Sequence, residues 1–438
     1  MTKLYNWGPT GIVVALTLFV LSVGMASWGQ YRLDMQPKPL ELIFRAGGPI
    51  RSSPVIDLAK NAIYFGADDG NLYAIPLTSN DQLRKPKWVF SPDPDPLKRR
   101  PMRATPLIDE VRNRIYIGAD DGNLYAVDRD TGARVETFTP ERRSGAIRVP
   151  PVLDLQMNVL YVGADDGRLM ALSVEDGRLG LPSNPVFLSG KGPLRAAPLV
   201  DYVKSAIYFG SDDGRFYAVD RENLPYVLFY IYTGSPVRGS PVLDFTGPGG
   251  FWYRPEAAIY FGADNGSFYA VDRDGSNFYI FITQGPIRTN AIADPQKNAV
   301  YFVSDDGNLY ALFRLDEKDA EDKVVHEAGT LKFRTKIVAS EAPIPFDGDL
   351  PRSSPVLDRR LGASGTGTII VGSVDGNLYG IDPDSGGVRF IHPVPGAGSD
   401  PQAAIRTTPA LFARGPGELL DIYVGADDGG LYVMTRRP

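Results

Sequence analysis

Residues 51–74 read R-S-S-P-V-I-D-L-A-K-N-A-I-Y-F-G-A-D-D-G-N-L-Y-A, and this stretch decides the fold. Two apolar runs, one around Ile63 and one around Tyr73, flank the Asp-Asp-Gly turn at residues 68–70. Asp-Gly between two apolar runs is a strong hairpin signal, because a type I′ turn needs positive φ at both central residues. The stretch therefore predicts short antiparallel strands joined by tight turns.

The same motif recurs eight times along the 438 residues. Each copy opens with an arginine, has a proline three residues later in seven of the eight copies, and ends its central turn in glycine. Repeats of this length with four strands each are typical of β-propeller blades. The proline places the first strand at a sheet edge, beside the central channel. The chain is thus predicted to be all-β, an eight-bladed β-propeller with four-stranded antiparallel blades. The opening arginines are Arg51, Arg103, Arg148, Arg195, Arg238, Arg288, Arg352 and Arg406.

The two ends of the repeat region predict how the ring closes. The last copy stops after its third strand, at residues 431–434, and so lacks an outer strand. Residues 40–46, Leu-Glu-Leu-Ile-Phe-Arg-Ala, resemble an outer strand and precede the first copy. We expect this N-terminal strand to complete the eighth blade, because pairing the ends removes open sheet edges. The propeller domain is therefore assigned to residues 40–438.

The first 31 residues are predicted to direct the chain to a membrane. No charged side chain occurs in residues 4–31, and residues 8–27 are largely apolar, close to the roughly 20 residues that a helix needs to cross a bilayer. Trp7 and Trp28 flank this run, as aromatic rings do at the two interfaces of a membrane span. We expect a transmembrane anchor or uncleaved signal at 1–31, a linker at 32–39, and the propeller on the extracytoplasmic, periplasmic side. A cleaved signal peptide with a small-residue site at 24–26 is the alternative.

Composition narrows the classes of function. The net charge of −6 gives no electrostatic reason for nucleic acid to bind. The absence of cysteine excludes disulfides, thiolate metal sites and a cysteine nucleophile. The two histidines, His326 and His392, both lie outside the repeated motif. No catalytic, cofactor-binding or metal-binding residue is therefore predicted.

The strand directions place the opening arginine and the acidic turn of every blade on the same face. An eightfold ring of guanidinium groups is expected at the channel mouth, where each would form a forked ion pair with a turn carboxylate and fix the register of the blades. The alternative is that this face binds a partner or a metal ion. Fourteen turn carboxylates outnumber the eight arginines, which argues against a simple anion funnel. The first carboxylates of the turns are Asp68, Asp120, Asp165, Asp212, Asp264, Asp305 and Asp427, and Val374 takes this place in the seventh copy.

Aromatic side chains of the second strand are predicted to form the core between blades, because burial is the commoner use of such rings. They are Tyr64, Tyr116, Tyr161, Tyr208, Tyr260, Tyr301 and Tyr423, with Ile370 in the seventh copy.

Loops that differ between copies are the candidates for docking. On the ring face these are Lys98, Arg99 and Arg100, then Arg142 and Arg143. The opposite face carries Phe251, Trp252 and Tyr253. Solvated loops, or aromatic packing against the blade, are the alternatives. Residues 315–328, rich in Asp, Glu and Lys, are predicted to form an exposed, mobile excursion.

The consensus of the repeat unit reads P-V-x-D…I-Y-x-G-x-D-D-G-x-L-Y-A-x-D-x-x-T-G, and the end of this consensus is matched most clearly by A-V-D-R-D-T-G at residues 126–132. The repeat unit resembles that of the PQQ-type (quinoprotein-like, BamB-like) β-propeller repeat family. The resemblance covers residues 40–438. It implies one of two roles. One is that of a quinoprotein oxidoreductase, which uses pyrroloquinoline quinone (PQQ) and a metal such as calcium. The other is non-enzymatic, as in the lipoprotein subunit of the outer-membrane β-barrel assembly machine.

Departures from the dehydrogenase pattern favour the second role. The vicinal cysteine pair of the dehydrogenase cofactor pocket cannot exist here, and the long inserted loops that build that pocket are missing. Of the outer strands, only Trp88 matches the blade-docking tryptophan, while Phe138 stands in the corresponding place of the second copy. The prediction is a membrane-tethered scaffold or assembly factor that binds membrane or periplasmic proteins and uses no cofactor. A PQQ- and metal-dependent oxidoreductase is the alternative, and a sugar- or polymer-binding propeller, which would need aromatic residues in the channel, is a third.

Overall fold

A computed structural model describes residues 39–79, 81–140, 145–175, 179–180, 192–244, 258–319, 321, 323–338, 352–359, 367–395, 403–414 and 419–436. These residues form eight antiparallel sheets arranged as the blades of a propeller. Seven blades have four strands, and the described part of blade 3 has three. The predicted all-β, eight-bladed propeller is confirmed.

In blades 1 to 7 the strands of each sheet lie side by side in chain order, with the first strand innermost, and in blade 8 the N-terminal strand is the outer one. Blade 1 contains β2 (Val55–Asp57), β3 (Ala62–Gly66), β4 (Leu72–Pro76) and β5 (Trp88–Phe90), and blade 2 contains β6 (Leu107–Asp109), β7 (Arg114–Gly118), β8 (Leu124–Asp128) and β9 (Arg134–Phe138). Blade 3 contains β10 (Val152–Asp154), β11 (Val159–Gly163) and β12 (Leu169–Ser173). Blade 4 contains β13 (Leu199–Asp201), β14 (Ala206–Ser211), β15 (Arg215–Asp220) and β16 (Val227–Tyr232). Blades 5 and 6 contain β17 (Val242–Asp244), β18 (Ala258–Gly262), β19 (Ser267–Val271) and β20 (Asn277–Ile282), then β21 (Ile292–Asp294), β22 (Ala299–Ser304), β23 (Asn308–Phe313) and β26 (Leu331–Lys336), with the hairpin β24 (Glu317–Lys318) and β25 (Val324–His326) inserted before β26. Blades 7 and 8 contain β27 (Val356–Asp358), β28 (Thr368–Gly372), β29 (Asn377–Ile381) and β30 (Val388–Pro393), then β31 (Ala410–Ala413), β32 (Leu420–Gly425), β33 (Gly430–Arg436) and the N-terminal β1 (Glu41–Arg45).

The N-terminal strand closes the ring. β1 pairs antiparallel with β33, with Leu42 opposite Tyr432 and Phe44 opposite Leu431. Ile43 and Phe44 are buried in a cluster with Ile50. The first strand of the domain therefore serves as the outer strand of its last blade, as the sequence predicts.

The second-strand aromatics form the core between blades. All seven tyrosines and Ile370 are at most 1% exposed. Tyr64 packs with Leu72 of its own blade and with Ile115 and Ile117 of the next. Burial raises the pKa of Tyr116 to about 12, and the nearby Asp109 adds to this rise. Adjacent blades thus share one apolar core, and these rings are not available as a ligand cage.

A 3-10 turn is present at Pro96–Lys98. No helix in the described part of the chain is long and apolar enough to cross a membrane. The predicted anchor at 1–31 and nearly all of the linker at 32–39 lie outside the described residues, so both remain predictions.

The predicted excursion at residues 315–328 is exposed, but it contains a regular hairpin. β24 pairs with β25, with Glu317 opposite His326. The imidazole of His326 stacks on Phe313, with 4.4 Å between the ring centroids. This contact between the hairpin and the end of β23 depends on residues 13 positions apart, which composition alone does not reveal.

Candidate functional site

The opening arginine of a blade lies between two turn carboxylates. Nε and Nη2 of Arg103 donate to Asp68 of blade 1 at 2.9 and 3.0 Å, and Nη1 lies 3.2 Å from Asp120 of its own blade. Arg148 repeats the arrangement one blade further on, donating to Asp120 at 2.9 Å and to Asp165 at 2.8 Å. Each of these guanidinium groups joins two neighbouring blades.

The ring of ion pairs also spans the point where the chain ends meet. Arg51 of blade 1 donates to Asp427 of blade 8 at 2.9 Å and forms an ion pair with Asp68 of its own blade. Arg238 pairs with Asp212 at 2.9 Å and with Asp264 at 3.1 Å. Contacts of the same kind are made by Arg195 with Asp165 and Asp212, and by Arg288 with Asp264 and Asp305.

Blade 7 breaks the eightfold pattern because Val374 stands where the other turns carry the first carboxylate. Arg352 of this blade donates to Asp305 of blade 6 at 3.0 Å. Arg406 of the next blade donates to Asp427 of its own blade at 2.8 Å. Eight guanidinium groups therefore face seven ring carboxylates.

The second turn carboxylate has a different role from the first. Oδ2 of Asp69 accepts a hydrogen bond from the hydroxyl of Tyr73 at 2.5 Å, and Oδ1 accepts one from the backbone N–H of Asn71 at 3.0 Å. Burial, followed by the bond to Asp69, raises the pKa of Tyr73 to about 12. The equivalent pairs are Tyr125 with Asp121, Tyr217 with Asp213, Tyr310 with Asp306, Tyr379 with Asp375 and Tyr432 with Asp428. These carboxylates hold their own hairpins and do not contribute to the ring.

The ring surrounds a cavity of about 160 Å³ on the propeller axis. The described residues that line this cavity include all eight opening arginines and no aspartate or glutamate. The charged residues of the cavity wall are therefore all arginines, and the aspartates that pair with them are not part of the wall. The remaining lining residues are Ser53, Thr105, Val149, Pro150, Ser240, Asn290, Ser354 and Thr408.

Polar side chains below the ring form a belt that links blade to blade. The backbone N–H of Thr408 donates to Oγ of Ser53 at 2.9 Å, and that of Ser354 donates to Oγ1 of Thr408 at 3.2 Å. The N–H of Asn290 donates to Oγ of Ser354 at 2.9 Å. A serine or threonine hydroxyl that accepts such a bond still has its own proton to donate.

The opposite face holds a set of buried ion pairs that the sequence analysis missed. The aspartate that ends the first strand of one blade pairs with the arginine that follows the third strand of the next. Nη2 of Arg129 lies 2.5 Å from Asp57, and Nη2 of Arg221 lies 2.9 Å from Asp154. Arg273 pairs with Asp201 at 2.9 Å, and Arg314 pairs with Asp244 at 2.6 Å. All eight residues are buried. The sequence does carry a signal for the arginines of these ion pairs, because V-D-R recurs at residues 127–129 and 271–273.

Blade docking uses several kinds of aromatic ring, where the sequence analysis recognised only Trp88. The Trp88 ring stacks on Tyr64 with 5.5 Å between centroids and covers Gly132 of blade 2, where a Cβ would lie 2.6 Å from the indole. Gly132 has φ +71°, so both space and backbone favour glycine. Phe229 over Gly275, Tyr279 over Gly329 and Phe333 over Gly386 repeat the contact.

The predicted docking loops are described only in part. Lys98 and Arg100 are exposed. Arg99 donates to the backbone carbonyls of Asp93 at 2.7 Å and Pro94 at 3.1 Å, so it holds its own loop in shape. The other predicted docking residues, Arg142, Arg143, Phe251, Trp252 and Tyr253, lie outside the described residues.

The outer strand of blade 4, β16, is uncharged and exposes several large side chains. β16 (V-L-F-Y-I-Y) carries no charge, and neither does β20 of blade 5, whereas every other described outer strand of five or more residues contains lysine or arginine. Because Phe229 packs on blade 5, the alternate residues Leu228, Tyr230 and Tyr232 point the other way. Their exposed fractions are 44%, 57% and 67%. We call these three residues, with the exposed Tyr226, the blade 4 rim.

The blade 4 rim also has a cation beside it. The guanidinium of Arg215 lies 5.4 Å from the ring centroid of Tyr230 and 5.7 Å from that of Tyr232. Tyrosine and arginine are the residue types enriched where proteins bind one another. A metal site has no comparable support, because no cluster of three or more His, Cys, Asp or Glu side chains occurs in the part of the chain that the structure describes.

Solved structures of several proteins share this closed propeller architecture, whereas no family model and no curated protein sequence matches the chain. BamB from Moraxella catarrhalis is 16% identical, with 91% of this chain and 99% of that one covered and a TM-score of 0.58. Quinohemoprotein alcohol dehydrogenase from Comamonas testosteroni is 15% identical, with coverage of 91% and 76% and a TM-score of 0.61. Sqt1 from Saccharomyces cerevisiae is 10% identical, with coverage of 92% and 100% and a TM-score of 0.64.

At these identities the likeness shows the fold alone. The predicted resemblance to quinoprotein-like and BamB-like propellers is confirmed at that level. An alcohol dehydrogenase stands among the similar structures beside proteins of other names, so the fold does not decide the activity.

Proposed function

We propose that this protein is a non-enzymatic, membrane-tethered propeller that acts as a protein-binding scaffold or assembly factor outside the cytoplasm. The observation that carries the proposal is the blade 4 rim. Its strand is the edge of a sheet, so it can offer backbone hydrogen bonds to an extended segment of a partner. The sequence of β16 has none of the charged residues that usually protect an edge from such pairing.

The size of the rim suits a protein interface. An aromatic side chain buries roughly 150–250 Å² when fully covered. Tyr226, Tyr230 and Tyr232 are each more than half exposed, so covering them would bury about 400 Å². A stable interface buries about 800 Å² on each partner. The three tyrosines could therefore supply about half of one side of such an interface.

The position of the rim is compatible with the proposed tether. The N-terminal strand β1 belongs to blade 8, which is four blades away from blade 4 in a ring of eight. An anchor that precedes residue 39 would therefore join the propeller on the side opposite the blade 4 rim. The rim would remain accessible to a partner while the protein is held at the membrane.

Photo-crosslinking tests the proposal directly. A photoreactive side chain replaces Tyr230 in the full-length protein in its native membrane, and a matched control replaces Val135, an exposed apolar residue on the outer strand of blade 2. We expect a discrete protein adduct from position 230 and none from position 135. Equal adducts at both positions, or none at position 230, would contradict a partner site on blade 4.

The tether is tested separately. Deletion of residues 1–31 is expected to move the protein from the membrane fraction to the supernatant. Retention of the deleted form in the membrane fraction would show that the propeller itself holds the membrane.

The alternative function, a PQQ- and metal-dependent oxidoreductase, is less well supported by the described residues. The axial cavity of about 160 Å³ is smaller than the roughly 300–1,000 Å³ of most cofactor and ligand pockets. The turn carboxylates that could ligate a metal already accept hydrogen bonds from arginine or tyrosine, as Asp68 and Asp69 do. The residues present do not fit the quinone, and we derive no step through it.

A titration of the full-length protein with PQQ and calcium separates the two functions. Absorbance reports binding, and dye-linked alcohol oxidation reports turnover. We expect neither signal to exceed that of a heat-denatured control. Stoichiometric quinone binding with turnover would replace the scaffold proposal by the enzymatic one.

A further inference from the structure

We propose that the axial cavity binds one small oxyanion of the phosphate or sulfate type. The proposal is independent of the scaffold function, because it concerns the channel and not the blade 4 rim. The sequence argued against an anion funnel, since carboxylates outnumber arginines on this face. The structure changes that balance, because the carboxylates are kept out of the cavity wall in two ways.

The charges around the cavity favour an anion. The second turn carboxylates, such as Asp69, hold their own hairpins through a tyrosine hydroxyl and a backbone N–H. The first turn carboxylates pair with the opening arginines and are not among the residues that line the cavity. Because Val374 replaces one of them, the ring carries eight positive and seven negative charges. An anion in the cavity would therefore meet a wall whose charged residues are all arginines, within a ring that has a net charge of +1.

Hydrogen-bond donors of arginine and of hydroxyl side chains surround the cavity. An arginine has five N–H groups, and the carboxylate contacts of Arg103 use three nitrogens with one N–H each. Hydroxyls of the belt, such as those of Ser354 and Thr408, accept one bond and can donate another toward the cavity they line. Guanidinium and hydroxyl donors around one point are the groups that recognise oxyanions.

The volume of the axial cavity suits a small oxyanion. The cavity of about 160 Å³ is many times the roughly 10–15 Å³ that one water molecule requires. It has room for an ion of five heavy atoms together with several waters. It is smaller than the pockets that usually hold drug-sized ligands, which favours a small ion over an organic cofactor.

Calorimetric titration of the full-length protein with inorganic phosphate, and separately with sulfate, tests the proposal at constant ionic strength set by chloride. We expect one anion per chain. Val374→Asp restores the eighth carboxylate in a turn position that holds aspartate in seven other blades, and it cancels the net charge of the ring. Val374→Asn is the matched control, with the same shape and no charge. The Asp variant should bind about tenfold more weakly, equivalent to ~1.4 kcal/mol, and the Asn variant should bind as the unaltered protein does.

A second pair of variants keeps the test decisive if Val374→Asp does not fold. Thr105 of blade 2 also lines the cavity. Thr105→Glu would place a carboxylate in the wall and should abolish binding, whereas Thr105→Gln, which occupies the same space without the charge, should bind the anion more tightly than Thr105→Glu. Absence of binding in the unaltered protein, more than one anion per chain, or equal affinity within the Asp/Asn and Glu/Gln pairs would each overturn the proposal.

Discussion

The ion pair between Asp57 and Arg129 should be among the most sensitive contacts in the molecule. It links blade 1 to blade 2, and its two residues are 2% and 4% exposed. Replacing Asp57 by Asn keeps the shape and leaves the buried Arg129 charge with only the exposed Glu110, 3.4 Å away, as a carboxylate partner. Breaking a buried pair in this way costs roughly 3–5 kcal/mol.

The expected shift in melting temperature follows from that cost. Unfolding entropy is about 2.1 cal/mol/K per residue, or about 0.8 kcal/mol/K for some 400 residues. Asp57→Asn should therefore lower the Tm by about 4 to 6 °C. The assay is differential scanning calorimetry at pH 7 on the full-length protein and its variants.

Two comparisons make the result interpretable. Arg45→Met removes a solvent-exposed partner of Asp428, 3.5 Å away, and should lower the Tm by no more than about 1 °C. The double variant Asp57→Leu/Arg129→Met removes both buried charges and should be more stable than Asp57→Asn. A Tm for Asp57→Asn within 1 °C of the unaltered protein would show that the buried pair contributes little to stability, and a double variant that loses at least as much stability as Asp57→Asn would show that the unpaired charge is not the cause.

Three further predictions concern pH, blade docking and ring closure. Burial acts to raise the pKa of Asp57, but hydrogen bonds from Arg129 and the other partners of Asp57 outweigh burial and lower the pKa. The Tm difference between the unaltered protein and Asp57→Asn should therefore hold from pH 7 to about 5 and shrink as the pH falls below about 4. A Tm difference that grows below pH 4 would contradict this prediction. Gly132→Ala forces a Cβ to within 2.6 Å of Trp88 at positive φ and should cost about 1–3 kcal/mol, whereas Gly180→Ala, with open space around it, should leave the Tm unchanged. Ile43→Asp buries a charge in β1 and should make the N-terminal strand sensitive to protease under conditions where the unaltered protein resists; equal resistance would argue against closure by β1.

Much of the fold could be predicted because its signals are local. The Asp-Asp-Gly turn and the flanking apolar runs define each hairpin within about 25 residues, and eight copies define the blade count. The last copy lacks an outer strand, and residues 40–46 provide one, which β1 and β33 confirm. Strand direction alone was enough to expect the opening arginines and the acidic turns on one face.

The parts that could not be predicted depend on neighbours that are distant in the sequence. Asp57 and Arg129 are 72 residues apart, so no local pattern pairs them. The two aspartates of each turn look alike in the sequence, yet one faces an arginine of the next blade and the other a tyrosine of its own hairpin. The exposure of Tyr230 likewise depends on which face of β16 packs on blade 5. Repetition therefore identified the architecture, while the candidate binding surfaces required coordinates.

We expect the eightfold ring to have a structural role and the blade 4 rim to bind the partner. One experiment tests both assignments by measuring, in two variants, the adduct yield from the photoreactive side chain at position 230 and the Tm. Arg238→Gln should lower the Tm, because it removes a forked pair with Asp212, and should retain the adduct. Tyr232→Ser should leave the Tm within about 1 °C and lose most of the adduct. An unchanged Tm with a lost adduct in Arg238→Gln, or a retained adduct in Tyr232→Ser, would contradict these assignments.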